Sequence, residues 1–561
     1  MFDVAIRIKA KETYQNFWKR YKRPPIEEFQ DYIIERRDLL VPQDIRERKG
    51  AFFTPRQWVE LSQKYLADSL GSNWQDEYFI WDCAAGTGNL LAGLTNKYHI
   101  FASTIDQADV SVMHERIEHG ANLLKNHVFQ FDFLNDDFSK LPKTLQDIIN
   151  NPEKRKKLVV YINPPYAEAG SSKAIVGTSD RKPGVTTNFK LNDYYKPKIG
   201  NASNEIFALF MANIYEKMNG CFLGQFSKLK FVNGSNFQKF KEFFLAQYSA
   251  GFVIPADTFD NVKGKFPIGF TIWNTGSKNK INTVKTDVFD KNGTFITTKN
   301  FYGELPENIN KWIKLFDDKK NNGIGFISNP SVDFQQNKYL YIQINKGVEH
   351  VNFYNCTKNN LFQGVIYFTV RHCSPATWLN DRDQFLYPNN GWENDKEFQN
   401  DCLAFTLFHS QNRITSNEGT NHWIPFTEQE VNAPEKFESN FMTDFIKGEI
   451  QPEEETPTVF TVVSEPRARY SAPLRFSQEA KEVFDAGREL WKYYFTFKAI
   501  TPNASLYDIR EFFQGRNSKG RMNSKSTDEK YAKLINELRN KLNLLAEKIV
   551  PKVYEYEFLK R

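Results

Sequence analysis

Two prolines between an asparagine and a tyrosine, Asn163-Pro164-Pro165-Tyr166, follow directly on an apolar run from Leu158 to Ile162. Prolines after a strand fix the backbone and remove two N–H donors, which leaves carbonyls along a rigid rim. The Asn163 side-chain carbonyl and the Pro164 main-chain carbonyl can each take one hydrogen of an amino group, and Tyr166 offers a flat face to a ring. The chemistry this set supports is capture of a planar ring that bears an exocyclic amine. Asn163, Pro164, Pro165 and Tyr166 are therefore the candidate catalytic residues.

A second string, Asp82-Cys83-Ala84-Ala85-Gly86-Thr87-Gly88-Asn89, also follows an apolar run and leads into Leu90-Leu91. Glycines at 86 and 88 let the chain turn tightly and let a ligand approach a backbone without a Cβ in the way. The third glycine of a dinucleotide fingerprint would fall on Leu91, which weakens a nicotinamide reading. Asp106, expected at the next strand end, can accept the ribose hydroxyls of a nucleoside cofactor. Asp132 closes the third strand and can accept from an adenine amino group, with Phe133 covering the ring. Taken singly, each is an ordinary polar residue at a strand end; it is the succession of three that points to a cofactor.

The elements that must position these residues are legible as a rhythm of short apolar strand, turn and connection. The expected strands are Tyr78 to Asp82, Ile100 to Asp106, His127 to Phe133, Leu158 to Asn163, Cys221 to Ser227, Gly251 to Pro255 and Ile268 to Asn274. That spacing implies one βα step after another in a doubly wound α/β domain, whose strand carboxyl ends line one crevice. Near the C-terminus, Tyr531, Leu534, Ile535, Leu538, Leu542, Leu545 and Ile549 share one helical face, with Pro551 as the expected stop.

At 561 residues the chain is long enough for two to four domains of ordinary size. A formal charge of +6 is mild, so any nucleic-acid surface has to be local. The five cysteines are scattered without zinc spacing, so neither a metal nor a disulfide is expected. No long apolar run marks a signal peptide or a membrane span, which implies a cytoplasmic protein. The expected divisions are an N-terminal helical segment at 1–45, a catalytic domain at 46–277, and a mixed or β-rich region at 278–450. A linker with a basic, helical region fills 451–561, where Glu453, Glu454 and Glu455 between prolines read as a solvated connector.

The order of these motifs resembles that of the gamma-class N6-adenine DNA methyltransferases of restriction-modification systems. In that class I S-adenosylmethionine-dependent family a further motif precedes the glycine turn, and Gly50-Ala51-Phe52-Phe53-Thr54-Pro55 looks like it. The resemblance covers roughly residues 46 to 275. It implies a Rossmann-like, seven-stranded, mostly parallel sheet and S-adenosyl-L-methionine as cofactor. Phe53, Thr54, Pro55, Asp82, Ala84, Gly86, Gly88, Asn89, Asp106, Asp132 and Phe133 would then border the cofactor. It also implies a helix over Asn204 to Tyr215 and a late hairpin over Phe259 to Trp273, with Phe259 or Phe266 stacking on the flipped target base opposite Tyr166.

A target-recognition region after the catalytic domain would engage double-stranded DNA. A separate restriction endonuclease or specificity subunit is the implied protein partner. Arg510, Arg516, Lys519, Arg521 and Lys525, interleaved with Gly515, Asn517, Gly520 and Asn523, suit a flexible segment on phosphates. The polar stretch Glu168 to Asn201 reads as a loop over the site. RNA or protein-glutamine N-methylation, and a non-catalytic DNA-binding subunit of the same fold, are the alternatives.

Overall fold

The computed structural model describes residues 54–166, 190–259, 266–319, 321, 323–345, 352–418, 420–449, 472–498 and 500–561. The expected N-terminal segment, Gly50 to Phe53, the first part of the polar stretch after Tyr166, and the acidic connector lie outside these residues. Two compact units divide the chain, one reaching Glu304 and including 377–379, the other formed by 305–376 and 380–561.

The first unit is built on one sheet. Its strands are β1 (Phe79–Asp82), β2 (Ile100–Thr104), β3 (Val128–Gln130), β4 (Leu158–Ile162), β5 (Phe222–Lys228), β6 (Gln247–Pro255), β7 (Pro267–Asn274), β8 (Thr283–Phe289) and β9 (Phe295–Tyr302). They lie in the order β3-β2-β1-β4-β5-β7-β6-β8-β9. β1 to β5 are parallel, and β7 runs antiparallel between β5 and β6. The first seven strands are those expected from the sequence. The order turns back at β1 and β4, and in doubly wound sheets such a reversal opens a crevice at the strand carboxyl ends. The glycine turn follows β1, and the Asn163 turn follows β4.

Nine strands stand where seven were expected. β8 runs parallel to β6 and β9 antiparallel to β8, so the sheet continues beyond residue 277. β8 buries alternate residues, Val284, Thr286 and Val288, as an edge-side strand covered on one face does. β4 reads differently, because every residue from Leu158 to Ile162 is buried. Leu158, Val160 and Ile162 enter one apolar layer and Val159 and Tyr161 the other, which is the pattern of a central parallel strand.

Helices cover both faces: α1 (Arg56–Leu70), α2 (Gln107–Glu118), α3 (Lys143–Asn150), α4 (Lys190–Ile199) and α5 (Ile206–Lys217). α5 is the helix expected after the catalytic strand. α4 occupies residues read from the sequence as loop; Tyr195 and Ile199 anchor it in the core. Its lysines, asparagine and internal Pro197 hid an amphipathic turn pattern.

The second unit is mixed, with more helix than strand among the described residues. It contains α6 (Leu361–His372), α7 (Lys396–Phe408), α8 (Gln478–Tyr494), α9 (Leu506–Gln514) and α10 (Glu529–Glu555), with a three-stranded sheet ordered β11-β10-β12. These three strands are β10 (Gly325–Ser328), β11 (Ile342–Gln343) and β12 (Phe353–Cys356). α6 and α7 are buried almost all round, so their aromatic and β-branched residues lose the one-sided period that marks a surface helix. α10 buries the expected stripe on the second unit's core but runs through Pro551 to Glu555. Only one turn follows that proline, and Val553 and Tyr556 pack into the core beyond it.

Candidate catalytic and cofactor site

α1 and β4 bring Asn163 and Thr54 of the N-terminal motif together. Trp58, Val59, Ser62 and Leu66 form the buried face of α1, and the Ser62 hydroxyl lies 2.5 Å from the Tyr161 hydroxyl on β4. That fixes the start of α1 against the end of β4. Thr54, just before the helix, is 4% exposed, and its Oγ1 accepts the Asn163 amide Nδ2 at 2.8 Å. The other end of the same amide, Oδ1, accepts the Tyr166 hydroxyl at 2.6 Å. An amide oxygen has two lone pairs and can accept from two donors. Sequence reasoning had placed Thr54 at the cofactor and had no signal for its bond to Asn163, which is a long-range contact.

Tyr166 is buried, and burial pushes its phenol well above the ordinary range, so it acts as a neutral donor. Phe259 packs edge-on to it, ring centres 6.4 Å apart and planes at 88°. Phe259 is 1% exposed and also contacts Phe226 edge-on, so it belongs to the apolar layer behind the turn. Phe266 is partly buried against that layer, with the Lys228 ammonium 5.7 Å from its ring centre. Lys228, at the end of β5, also donates to the Tyr166 carbonyl at 3.4 Å. Of the two aromatics expected opposite Tyr166, Phe259 is the one in contact with it, but edge-on and not across a slot.

The glycine turn is shaped by three bonds. The Asp82 carboxylate accepts the Ala84 amide at 3.0 Å, the Ala85 amide donates to the Ser103 carbonyl at 2.9 Å, and Arg116 of α2 donates to the Thr87 carbonyl at 2.6 Å. Gly86 and Gly88 have φ of +53° and +81°. A side chain is strained at both positions. At Gly88 a Cβ would also crowd the Met113 sulfur at 3.1 Å, whereas at Gly86 it would meet open space. Gly86 thus faces the crevice, and Gly88 faces α2. Asn89 bonds to Thr87 and to Arg116, holding the turn. Arg116 carried no sequence signal, since it lies on the last turn of α2.

Asp82 is 1% exposed, and burial raises its carboxyl to about 7. A buried carboxylate facing no cation among the described residues suits a cationic ligand. β2 ends at Thr104, two residues earlier than expected, and Asp106 occupies the N-cap position of α2, half-buried. β3 likewise ends at Gln130. Asp132 beyond it accepts the Leu134 amide at 3.0 Å and the Asn135 side chain at 2.8 Å. Phe133 does not cover the crevice: it is 3% exposed and stacked on Phe210 at 4.7 Å, behind the strand end. Asp132 opens a turn, its carbonyl accepting the Asn135 and Asp136 amides, and Phe133 within that turn points into the core.

The basic residues of the second unit separate. Arg516 is held by Glu511 at 2.6 and 3.0 Å, by the Gly520 carbonyl at 2.8 Å and by the Tyr507 hydroxyl at 3.2 Å. It staples the turn that carries Lys519 and Arg521, so that segment is built rather than flexible. Arg510 is half-buried and donates to the Ser410 carbonyl at 2.9 Å. Lys519, Arg521 and Lys525 are exposed.

Residues 42–219 match the family described as N-6 DNA Methylase. No curated protein sequence matches the chain. Among solved structures, DrdV bound to DNA is similar at TM-score 0.36 and 13% identity, over 54% of this chain and 37% of that one. The type I restriction-modification methyltransferase subunit from Streptococcus thermophilus is similar at TM-score 0.29 and 16% identity, over 44% of this chain and 50% of that one. Overlaps this partial, at these scores, say nothing about substrate. The chain thus spans half or less of the length of these two solved chains.

Proposed function

We propose, from the match of residues 42–219 to the N-6 DNA methylases, that the chain transfers a methyl group from S-adenosyl-L-methionine to N6 of adenine in DNA, as the modification component of a restriction-modification system. The observation that carries the reading is the Asn163 amide, held at both ends at the carboxyl end of β4 in a sheet that reverses beside it.

An exocyclic amine is a weak nucleophile because its lone pair is spread into the ring. Asn163 Oδ1 and the Pro164 carbonyl, each accepting one amine hydrogen, localise that pair on nitrogen and aim it. Thr54 and Tyr166 hold the Asn163 amide at both ends and fix its plane. A base paired in a duplex cannot reach these acceptors, so the nucleotide has to leave the stack, with Tyr166 supplying ring area.

Residues that fit the cofactor are Asp82 for its ammonium group, the open side of Gly86, and the Asp106 and Asp132 carboxylates for ribose and adenine. The bound cofactor supplies the methyl group. Phe53 lies outside the described residues, and Pro55 stands at the head of α1.

Incubation of the full chain with tritiated cofactor and unmethylated bacterial DNA, followed by digestion to nucleosides, tests the reading. Label in N6-methyladenine is expected. Label only in methylcytosine, in RNA or in protein would overturn the assignment.

A further inference from the structure

We propose that Arg413, Arg510 and Arg539 of the second unit form a binding site for the phosphodiester backbone of DNA. The site deepens the reading of the chain as a DNA-modifying enzyme and rests on it for the identity of the polyanion.

Three separate elements supply the arginines: the turn after α7, helix α9 and helix α10. Arg510 donates through Nη1 to the Ser410 carbonyl at 2.9 Å, which sets it against the turn that bears Arg413. Its Nε is buried with no partner. Arg413 directs Nε and Nη2 to a single oxygen of Gln411, at 3.1 and 2.7 Å, and lies 4.3 Å over the Tyr341 ring. Arg539 donates to the Asn536 side chain at 3.3 Å, and its helix α10 is joined to α9 by the Tyr531 hydroxyl, which donates to Gln514 at 2.8 Å.

The frame around them is rigid. Asp508 of α9 accepts the Ser416 amide at 3.0 Å and the Ser416 hydroxyl at 3.1 Å, and it also accepts the Thr415 hydroxyl. Those bonds tie the turn to the helix that carries Arg510.

Several other cations of the unit do meet carboxylates. Arg488 meets Asp485, Arg516 meets Glu511, Lys548 meets Glu397 and Asp401, and Lys552 meets Asp395. None of the three arginines pairs with a carboxylate among the described residues. Like charges brought together without a counter-ion repel, and an anion relieves that cost. Guanidinium forks match phosphate oxygens, and successive phosphates of one strand can be shared among three such groups. Burial, with Arg539 and Arg413 adding to it, holds Arg510 below its ordinary range.

Fluorescence anisotropy with the full chain and a labelled mixed-sequence DNA duplex tests the site. Each phosphate contact contributes about 0.9 to the slope of log affinity against log salt. Arg539→Gln, at an exposed position, should lower the slope by about 0.9, and Arg413→Gln with Arg539→Gln by about 1.8, between roughly 50 and 200 mM KCl. Affinity of the double variant should fall at least about tenfold, with unchanged melting temperature and cofactor binding. Wild-type slope and affinity in both folded variants would overturn the site. An RNA duplex that loses more affinity than DNA does would overturn the assignment to DNA. If the variants lose DNA while the wild type methylates no DNA, the arginine site stands and the methyl-transfer reading fails; methylation with unaltered variant binding is the reverse.

Discussion

Asn163 donates its side-chain amide to Thr54 across 109 residues of sequence, at 2.8 Å. The bond joins the head of α1 to the Asn163 turn, the proposed catalytic turn. Thr54→Val removes the acceptor and keeps the shape, while Thr54→Ser keeps the acceptor. A neutral hydrogen bond is worth about 0.5 to 1.5 kcal/mol, so valine should lower the single-turnover rate up to about tenfold. Serine should restore most of it, and calorimetric cofactor affinity should change little in either. A valine variant that weakens cofactor binding and spares the rate would assign Thr54 to the cofactor alone.

As the proposed partner of the cofactor's ammonium group, Asp82 should make cofactor binding pH-dependent. Its buried carboxyl titrates at about 7 in the folded protein, above its usual value of 3.8. The ionised form receives a cation, so affinity should fall as pH drops below 7, approaching about tenfold per unit. Calorimetry from neutral to mildly acid pH reads this directly, and Asp82→Asn should flatten the profile. The linkage to stability has the opposite sense. A raised carboxyl binds more protons when folded, so stability from this group is present below 3.8 and is lost as pH rises through 7.

Arg116 holds the glycine turn from α2, through the Thr87 carbonyl at 2.6 Å and Asn89 at 3.3 Å. Arg116→Met keeps its length and loses both bonds. Cofactor affinity should drop roughly tenfold, consistent with charge-assisted bonds of about 1.5 to 3 kcal/mol partly replaced by water. A binding isotherm equal to wild type would remove Arg116 from the positioning of the turn.

Phe259 and Tyr166 should separate in their effects despite their contact. Phe259 is 1% exposed, and truncating a buried phenylalanine costs about 3 to 5 kcal/mol. Phe259→Ala should therefore lower the melting temperature. Tyr166→Ala should instead weaken base capture by about 1 to 3 kcal/mol, read with an oligonucleotide carrying a fluorescent adenine analogue. Equal melting shifts with no loss of capture would place Tyr166 in the core as well.

Motifs and central strands were readable because their causes are local. The Leu158 to Ile162 run is apolar at every position, as a strand buried on both faces requires, and Pro164 and Pro165 constrain their own backbone. The seven strands and the glycine turn follow from such short-range patterns. The α4 helix was hidden because its lysines and internal Pro197 surround only two buried residues, Tyr195 and Ile199, and the helices of the second unit because burial all round removes the period that reveals a helix.

By itself, then, the sequence determined which residues stand at the strand ends and what chemistry their types allow. Tertiary structure decided what each one faces. It turned Phe133 into the core, set Thr54 on Asn163, tied Arg516 to Glu511 and set Arg510 against the turn that bears Arg413. The reason is physical: a side chain's type is written at one position, but its partner is chosen by packing that joins segments tens to hundreds of residues apart.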